Sequence, residues 1–385
     1  MNTIKPSNPF VVGHYESAEF FCDRKKELEI LIKHIENGRN VTLTSPRRLG
    51  KTGLISHLFA QEEIKERYYT FFVDLYATSS LAEFVALMGK VIYEDLKKRE
   101  EKWFDKFVKI LTSLRAGLKM DSLTGNFGFD IGLGDISSPT VSLDEIFDYL
   151  EKSDRHCIVA IDEFQQIVQY DENNVEALLR TKIQQCKNVT FVFTGSKRHL
   201  MTQMFYTKAK PFYQSTIGME LEPIEKNTYT DFALRLFEKY GKKAEPSVVQ
   251  TVYEKFHGYT WYLQMVMNEL FFMTNKGETC TIDIIEPAVA NIISSQAGYY
   301  KNILSTCGTK QRAVLIALAN EEMRTRKFAE GITTSDFIKK YSLPSASSVQ
   351  AAVKGLVDKN IVTPEDNSKY HIDDLFLTEY ICNGR

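Results

Sequence analysis

The chain has 385 residues, of which 43% are hydrophobic and 25% charged, with a net charge of −2 at pH 7. This length favours two or three domains, and the near-neutral charge gives no electrostatic case for nucleic acid as the main partner. None of the six cysteines forms a Cys-x-x-Cys pair, so the thiols predict neither disulfides nor a zinc site. The N-terminus lacks a signal-peptide core and no apolar run reaches membrane-spanning length, so we expect a cytoplasmic protein with no membrane partner.

The first elements of the chain surround a glycine-containing turn. Asp23 is placed to cap a helix that begins at Arg24. Val41 to Thr44 is a short β-branched and apolar run, which is typical of a buried strand. After the turn, the apolar residues from Gly53 to Ala60 have helical spacing. Strand, turn and helix in this order are the context of a phosphate-binding loop.

The turn matches the pattern G-x-x-x-x-G-K-[ST], except that Ser45 replaces the first glycine. Backbone N–H groups at the helix N-terminus would bind phosphates, Lys51 would reach the β- and γ-phosphates, and the Thr52 hydroxyl would ligate Mg²⁺. The predicted nucleotide-binding residues of the turn are Ser45, Pro46, Arg47, Arg48, Leu49, Gly50, Lys51, Thr52 and Gly53. The alternative is a solvated basic turn before an ordinary helix.

The next stretch predicts a second strand and helices on either side of an insertion. Tyr68 to Leu75 is a strand candidate, and Ser79 or Ser80 is placed to cap the long helix that follows. A further helical pattern covers residues 103 to 111. Asn126 to Leu133 alternates apolar and small or polar residues, which predicts an inserted strand or hairpin.

A capping pattern precedes the next helix. Ser142 is placed to cap a helix from Leu143 to Leu150, with Glu145 completing a capping box. Val175 to Cys186 is predicted as another helix of the same α/β region.

Two buried strands then end in polar residues. His156 to Ile161 is a continuous apolar run followed by Asp162 and Glu163, the Walker B pattern. Asp162 would hold Mg²⁺, and Glu163 would orient the attacking water. Val189 to Thr194 is the next such strand, and Ser196 after it stands where the sensor-1 residue of additional-strand ATPases would report the γ-phosphate. The alternatives are a solvated acidic pair and an ordinary strand-end turn.

The order of elements predicts three domains. Strands alternating with helices indicate an α/β domain with a parallel sheet, a P-loop NTPase of the additional-strand type, over residues 1–223. Residues 224–305 have only helical patterns, which predicts a helical lid; one of its helices is predicted from Asp283 to Lys301. Three helices and a hairpin with a polar tip predict a winged helix-turn-helix over 306–385.

These motifs together resemble the prokaryotic AAA+/STAND-type P-loop ATPases of the "archaeal ATPase" group, along essentially the whole chain. The segments on which this resemblance rests are Phe21-Cys22-Asp23-Arg24-x-x-Glu27-Leu28, Ser45-Pro46-Arg47-Arg48-Leu49-Gly50-Lys51-Thr52, Ile161-Asp162-Glu163-Phe164, Thr194-Gly195-Ser196 and His257-Gly258-Tyr259-Thr260-Trp261-Tyr262.

The resemblance also implies binding residues outside the loop. Phe10, Val12, Phe21 and Arg24 would line the adenine pocket, and Gly258 would contact the nucleotide from the lid. The chain departs from the family pattern at Ser45 and at Thr260, where the lid motif often has proline, and the lid offers no convincing sensor-2 arginine.

The sequence thus predicts an ATP-binding, slowly hydrolysing, Mg²⁺-dependent switch ATPase with Glu163, Lys51 and Ser196 as catalytic residues and with Thr52 and Asp162 at the metal. ATP would reposition the lid and the winged helix. Two alternatives remain open: a DNA-binding regulator with a structural nucleotide, and a non-hydrolysing scaffold. A homo-oligomer, a protein client and duplex DNA remain open as partners.

Overall fold

The computed structural model describes residues 6–99, 103–104, 106–108, 118–120, 127–129, 138–365 and 369–383. It divides into two compact units, one spanning Tyr15–Glu222 and the other combining Met1–His14 with Pro223–Arg385. The first 14 residues therefore group with the C-terminal unit, although the sequence analysis assigned them to the ATPase core. The division of the C-terminal unit into a lid and a winged helix stays a prediction.

The unit Tyr15–Glu222 is built on a five-stranded parallel sheet, which confirms the predicted α/β fold. In spatial order its strands are Tyr68–Asp74, His156–Asp162, Val189–Gly195, Val41–Thr44 and Ile217–Glu220. We call Val41–Thr44 the P-loop strand, His156–Asp162 the Walker strand and Val189–Gly195 the sensor strand. Because all strands run parallel, their carboxyl ends share one edge of the sheet.

Both faces of this sheet are buried. Along the Walker strand, Val159 and Ile161 belong to one hydrophobic core, and Ile158 and Ala160 belong to the other. The first core includes residues of the helices Leu81–Arg99, Pro139–Glu151, Val175–Gln185 and Arg198–Tyr206, together with the 3₁₀ helix Phe164–Gln169. The second includes residues of the helices Lys25–Glu36, Lys51–Ala60 and Glu62–Arg67. A strand buried on both sides explains the uninterrupted apolar run in its sequence.

The predicted insertion contains an antiparallel strand pair. Leu118–Met120 pairs with Phe127–Phe129, which confirms a hairpin in this region. The remainder of the predicted strand, residues 126 and 130–133, lies outside the described residues, as do residues 105 and 109–111 of the helical pattern before it.

Two predicted caps are wrong, and one is confirmed. Arg24, not Asp23, stands at the N-cap of the first helix, without a side-chain cap bond, because both residues have positive φ and the Arg24 side chain bonds elsewhere. Ser142 lies inside a helix that already begins at Pro139, whose fixed φ suits a first helical turn. Ser80 does cap its helix, since its Oγ accepts a hydrogen bond from Glu83 N at 3.2 Å.

The C-terminal unit begins with helices. Their bounds are Lys226–Lys239, Pro246–Lys255, Thr260–Met273, Ile285–Ser295 and Ala297–Thr306, with a 3₁₀ turn at Ile282–Ile284 and a short parallel strand pair at Lys243–Ala244 and Thr279–Cys280. The prediction of one helix from Asp283 to Lys301 is wrong, because the chain leaves the helical conformation at Gln296, where φ is −109° and ψ is 7°.

The rest of this unit has the predicted winged-helix elements. Helices Thr309–Thr325, Ser335–Lys340 and Ala346–Asp358 precede the antiparallel strands Val362–Pro364 and Lys369–Ile372, and Ala329–Glu330 adds a third strand to the pair. The final helix, Leu375–Cys382, was not predicted; Asp374 caps it, since its Oδ1 accepts a hydrogen bond from Phe376 N at 3.0 Å. In the described part of the chain, no helix is both long and apolar enough to cross a membrane.

A tight turn at Gly258 joins two helices of the C-terminal unit, and we expect Gly258→Ala to destabilise that unit by about 2 kcal/mol or more. Gly258 has a φ of +73°, and an added Cβ would lie 2.6 Å from the Tyr253 hydroxyl and 2.9 Å from Pro223 Cβ. Tyr253 cannot easily yield, because its hydroxyl donates to Ile224 O at 2.7 Å. Denaturant unfolding of the full chain would measure the loss.

Gly298→Ala is the matched control for this change. A Cβ at Gly298 would meet nothing within 4 Å, and the residue lies in the helix Ala297–Thr306. Alanine should therefore leave stability unchanged or raise it by up to about 1 kcal/mol. Equal stability of the two variants would contradict the strain that we assign to the turn.

Candidate nucleotide-binding site

The loop between the P-loop strand and the helix Lys51–Ala60 is shaped by two left-handed residues. Arg48 has a φ of +68° and Gly50 a φ of +94°. Gly50 is the N-cap residue, without a side-chain cap bond, so the following N–H groups point into the loop. A helix N-terminus with open N–H groups binds anions, as the sequence pattern predicted for phosphates.

Lys51 is buried inside this loop. Its Nζ donates to Ser45 O at 3.0 Å, Ser45 Oγ at 3.2 Å and Pro46 O at 3.3 Å. Burial lowers the pKa of Lys51 to about 8; the charges of Asp162 and Glu163 oppose this decrease, whereas nearby arginines add to it. An ammonium group bonded only to neutral oxygens favours an incoming anion.

Arg24 supports the loop through a backbone carbonyl. Its guanidinium donates to Leu49 O at 3.1 Å, to Glu222 O at 2.6 Å and to Glu27 Oε1 at 2.8 Å. The residue is 2% exposed. The bond to Leu49 O supports the backbone of the loop. The place of Arg24 in an adenine pocket, which the resemblance implied, stays a prediction.

The carboxylate of Asp162 joins the loop to the Walker and sensor strands. Thr52 Oγ1 donates to Asp162 Oδ2 at 2.9 Å, although the two residues are 110 positions apart. Thr194 Oγ1 and Glu163 N both donate to the other oxygen, Oδ1, the latter at 3.0 Å. The structure therefore brings the two predicted metal residues, Thr52 and Asp162, together. Thr194, which the sequence analysis did not single out, belongs to the same group.

Glu163 lies directly beside this carboxylate. Its backbone is left-handed, with a φ of +51°, and the 3₁₀ helix Phe164–Gln169 follows it. Its Oε2 accepts from Ser196 Oγ at 2.8 Å and from Gln165 Nε2. Ser196 in turn accepts from Arg47 Nε at 3.2 Å. The predicted catalytic pair Glu163 and Ser196 is thus hydrogen-bonded, and a loop arginine reaches it.

Asp74 is a third carboxylate at this edge, and it lies within the predicted strand Tyr68 to Leu75. It pairs in register with Asp162 on the neighbouring strand. Loss of water around its carboxyl group, together with the charges of Asp162 and Glu163, raises the pKa of Asp74, against a bond from Tyr76 N. The signal in the sequence was an acidic residue near the end of a predicted strand.

Phe21 lies in an aromatic group beside the first turn of the helix Lys51–Ala60. Its ring stacks on His57 with a centroid distance of 4.4 Å, and Tyr15 donates to or accepts from His57 Nδ1 at 2.9 Å. A Cβ on Gly53 would lie 3.3 Å from the Phe21 ring. An apolar ring at this position suits stacking on a purine. That Phe21 lines the adenine pocket stays a prediction.

The remaining predicted nucleotide residues belong to the C-terminal unit. Phe10 is fully buried there, with its ring 5.4 Å from that of Phe237 and 6.0 Å from that of Phe271. Asn268 Nδ2 donates to Phe10 O at 2.7 Å. Gly258 forms the strained turn described above, and Val12 is half-buried. Their contacts with a nucleotide stay predictions.

The donors at the sheet edge fit a magnesium ion. Among the described residues there is no group of three or more His, Cys, Asp or Glu side chains arranged to hold a metal by themselves. A hydroxyl and a carboxylate oxygen, at Thr52 and Asp162, are hard ligands. Mg²⁺ typically takes one or two such protein oxygens and completes its shell with water and substrate phosphates.

A family model described as an ATPase domain predominantly from Archaea matches residues 21–266, and a model of a probable winged helix domain matches residues 298–383. The first match covers more than half of the chain. The chain belongs to this ATPase family. The resemblance found in the sequence is thereby confirmed, as is the P-loop fold with a winged helix.

Individual relatives agree with the family. An uncharacterised ATP-binding protein of Methanocaldococcus jannaschii is 27% identical over 162 residues, which cover 40% of this chain and 44% of that protein. The match therefore spans less than half of that relative. A Walker-type ATPase of Pyrococcus abyssi is 18% identical, with a TM-score of 0.65 over 97% of this chain and 99% of the other.

The fold is shared more widely. The ORC2 protein of Aeropyrum pernix, solved in ADPNP and ADP complexes, is 13% identical, with a TM-score of 0.58 over 97% of this chain and 96% of the other. At such low identities, the structural matches show a common fold and nothing finer.

We expect ATP affinity to fall as the pH rises above about 8. Lys51 has a pKa of about 8 in this structure, so it is charged below that pH and loses its charge above it. A bound triphosphate favours the charged form and raises the pKa, so binding above pH 8 must include uptake of a proton. The dissociation constant should rise by up to about tenfold per pH unit. Calorimetric titration between pH 7 and 9.5 would measure it.

Lys51→Arg is the control, because a guanidinium stays charged throughout this range. Its affinity should be lower overall, since the planar group is larger, but should not fall with pH in the same way. A flat profile for the wild type would contradict the assignment of Lys51 to the phosphates.

Proposed function

We propose that the chain is a Mg²⁺-dependent ATPase that hydrolyses ATP slowly and uses its nucleotide state as a switch. The observation that carries this proposal is the bond between Thr52 and Asp162, because it joins the phosphate-binding loop to the acidic end of the Walker strand. Membership of the ATPase family supports the same class of reaction.

The loop supplies the binding energy for the triphosphate. In this proposal Lys51 exchanges the carbonyl oxygens of Ser45 and Pro46 for the oxygens of the β- and γ-phosphates. The exchange replaces dipoles with full negative charges, which strengthens each hydrogen bond. N–H groups at the start of the helix Lys51–Ala60 add the field of the helix dipole.

Thr52 and Asp162 are the residues that would hold Mg²⁺. The ion, when bound, neutralises charge on the β- and γ-phosphate oxygens. Thr194 and Glu163 N keep the Asp162 carboxylate oriented through its other oxygen, so the oxygen that faces Thr52 has a fixed direction.

Glu163 is the residue that would orient the attacking water and accept its proton. Its carboxylate is held through Oε2, which leaves Oε1 as the oxygen to face water. Ser196 links this carboxylate to Arg47 of the loop. A γ-phosphate in the loop would therefore be sensed by Lys51 and by the Ser196–Arg47 pair, the role that the sequence predicted for a sensor residue.

The switch is the finer part of the proposal. Loss of the γ-phosphate removes the contacts that distinguish ATP from ADP, and a two-state protein responds only to such differential contacts. We propose that the helical lid and the winged helix are then repositioned; this proposal is supported by the division of the chain, in which residues 223–385 belong to a different compact unit from the phosphate-binding loop.

We expect Glu163→Gln to bind ATP with nearly unchanged affinity and to hydrolyse it about 10²-fold more slowly. The amide keeps the size and one oxygen of the carboxylate but cannot accept the proton. Asp162→Asn should instead weaken Mg²⁺-dependent binding as well as turnover, because its charge serves the metal. Calorimetry and a phosphate-release assay separate the two. Wild-type turnover in Glu163→Gln would reduce the proposal to nucleotide binding alone.

The second candidate is a DNA-binding regulator with a structural nucleotide. Ser347, Gln350 and Lys354 are exposed at helical spacing on the third helix of the winged unit. The ORC1 protein of Aeropyrum pernix, solved in complex with DNA, shares the fold at 13% identity, with a TM-score of 0.50 over 94% of this chain and 92% of the other.

This candidate predicts that the full chain binds duplex DNA with an affinity that falls as salt rises. Lys354→Glu should then weaken binding by about tenfold, because a phosphate contact becomes a repulsion. Fluorescence anisotropy with a labelled duplex at several salt concentrations would measure this. Identical binding by wild type and Lys354→Glu would speak against a DNA role for this helix.

A further inference from the structure

Gln165 lies close to the proposed water-positioning carboxylate, but no motif contains it. It is the second residue of the 3₁₀ helix Phe164–Gln169, and it is 3% exposed. The backbone of Glu163 makes a left-handed turn directly after the Walker strand, and the 3₁₀ helix follows it. This turn brings the side chain of residue 165 back to residue 163, where Gln165 Nε2 donates to Glu163 Oε2.

The sensor strand limits the space around this amide. A Cβ on Gly195 would lie 2.3 Å from Gln165 Oε1, 2.7 Å from Met201 Sδ and 2.8 Å from Met201 Cγ. A glycine at position 195 therefore makes room for the amide, which lies between the end of the sensor strand and Glu163. A buried side chain held on two sides has little rotamer freedom, so its donor has a fixed direction.

The orientation of the amide follows from its partner. A carboxylate offers only acceptors, so the group that faces it must be the NH₂. The other end, Gln165 Oε1, is buried without a hydrogen-bond partner. A buried unpaired acceptor costs about 1–3 kcal/mol. An apolar side chain of the same length would fill the space without that cost, so packing alone does not account for the amide.

We propose that Gln165 is a positioning residue that sets the direction of the Glu163 carboxylate for attack by water. The proposal rests on the proposed ATPase function. Gln165 and Ser196 both donate to Oε2, one from the 3₁₀ helix and one from the end of the sensor strand. Two donors on one oxygen fix the plane of the carboxylate and direct Oε1 toward the water. The donor of Gln165 is neutral, so it orients the base without placing a cation beside it.

The test compares Gln165→Met with Gln166→Met in full-length protein. Methionine keeps the length and removes the donor. Gln166 is the matched control, because it is the next residue of the same 3₁₀ helix and its side chain donates to Thr78 O at 3.2 Å and to Gln169 Oε1 at 3.4 Å, not to the Glu163 carboxylate. Its backbone N–H donates to Glu163 O at 2.9 Å, a bond that the substitution keeps. We expect Gln165→Met to lower kcat by about tenfold and to leave KM for ATP within about twofold. Gln166→Met should keep both near wild type.

Two further measurements separate positioning from structure. The melting temperature of Gln165→Met should be unchanged or higher, because the variant removes an unpaired buried acceptor. In single-turnover hydrolysis, adding Gln165→Met to Glu163→Gln should change the rate by less than about twofold, since the donor acts only through the carboxylate.

The outcomes separate this inference from the proposed function. If Glu163→Gln slows hydrolysis but Gln165→Met does not, the positioning role is overturned and the ATPase function stands. If the losses of the two substitutions multiply in the double variant, Gln165 does not act through Glu163 and the inference is again overturned. If Glu163→Gln hydrolyses ATP at the wild-type rate, the proposed function itself fails, and the inference fails with it.

Discussion

The structure of the site depends on the hydrogen bonds of one buried carboxylate. Asp162 is 7% exposed, and a charge removed from water to this extent must be compensated by hydrogen bonds. Its three donors are Thr52 in the helix Lys51–Ala60, Thr194 in the sensor strand and the backbone N–H of Glu163, directly after the Walker strand. Thr52 and Thr194 are distant from Asp162 in sequence, so the carboxylate receives all three bonds only when the helix Lys51–Ala60 and the sensor strand have come together beside the Walker strand.

The strands of the sheet could be predicted where burial on both faces gives a continuous run of apolar residues. The Walker and sensor strands are buried along their whole length apart from His156, and their sequences show it. The strand Ile217–Glu220 was missed because it lies at the edge of the sheet and exposes three of its four residues. The helix start at Pro139 was misplaced because a serine further along fits a capping pattern, and only the fold decides between the two.

The residues of the site also fall into those that could be predicted from the sequence and those that could not. Lys51, Thr52, Asp162 and Glu163 could be named because each belongs to a local motif at a strand end. The support of the loop by Arg24 could not be predicted, because its acceptors, Leu49 O and Glu222 O, are backbone atoms with no side-chain signature. Asp74, Thr194 and Gln165 depend on register and on turn geometry, which bring together residues that no short pattern connects.

A buried ion pair joins two helices of the C-terminal unit. Lys255, at the end of a lid helix, lies 2.9 Å from Glu379 in the final helix, with side chains 7% and 5% exposed. Beside it the rings of Tyr262 and Phe376 are 5.1 Å apart, and Tyr262 Oη accepts from Leu375 N at 2.9 Å.

Separating the two helices would remove this partner from the buried Glu379 carboxylate, while Lys255 would keep its 3.0 Å contact with Glu286. Removing one partner of a buried ion pair is strongly destabilising. The final helix is also the element that closes the winged helix, through its packing on Thr309–Thr325. The winged-helix elements are thus joined to the helices that precede them by a buried ion pair, a ring contact and a hydrogen bond, all within one compact unit.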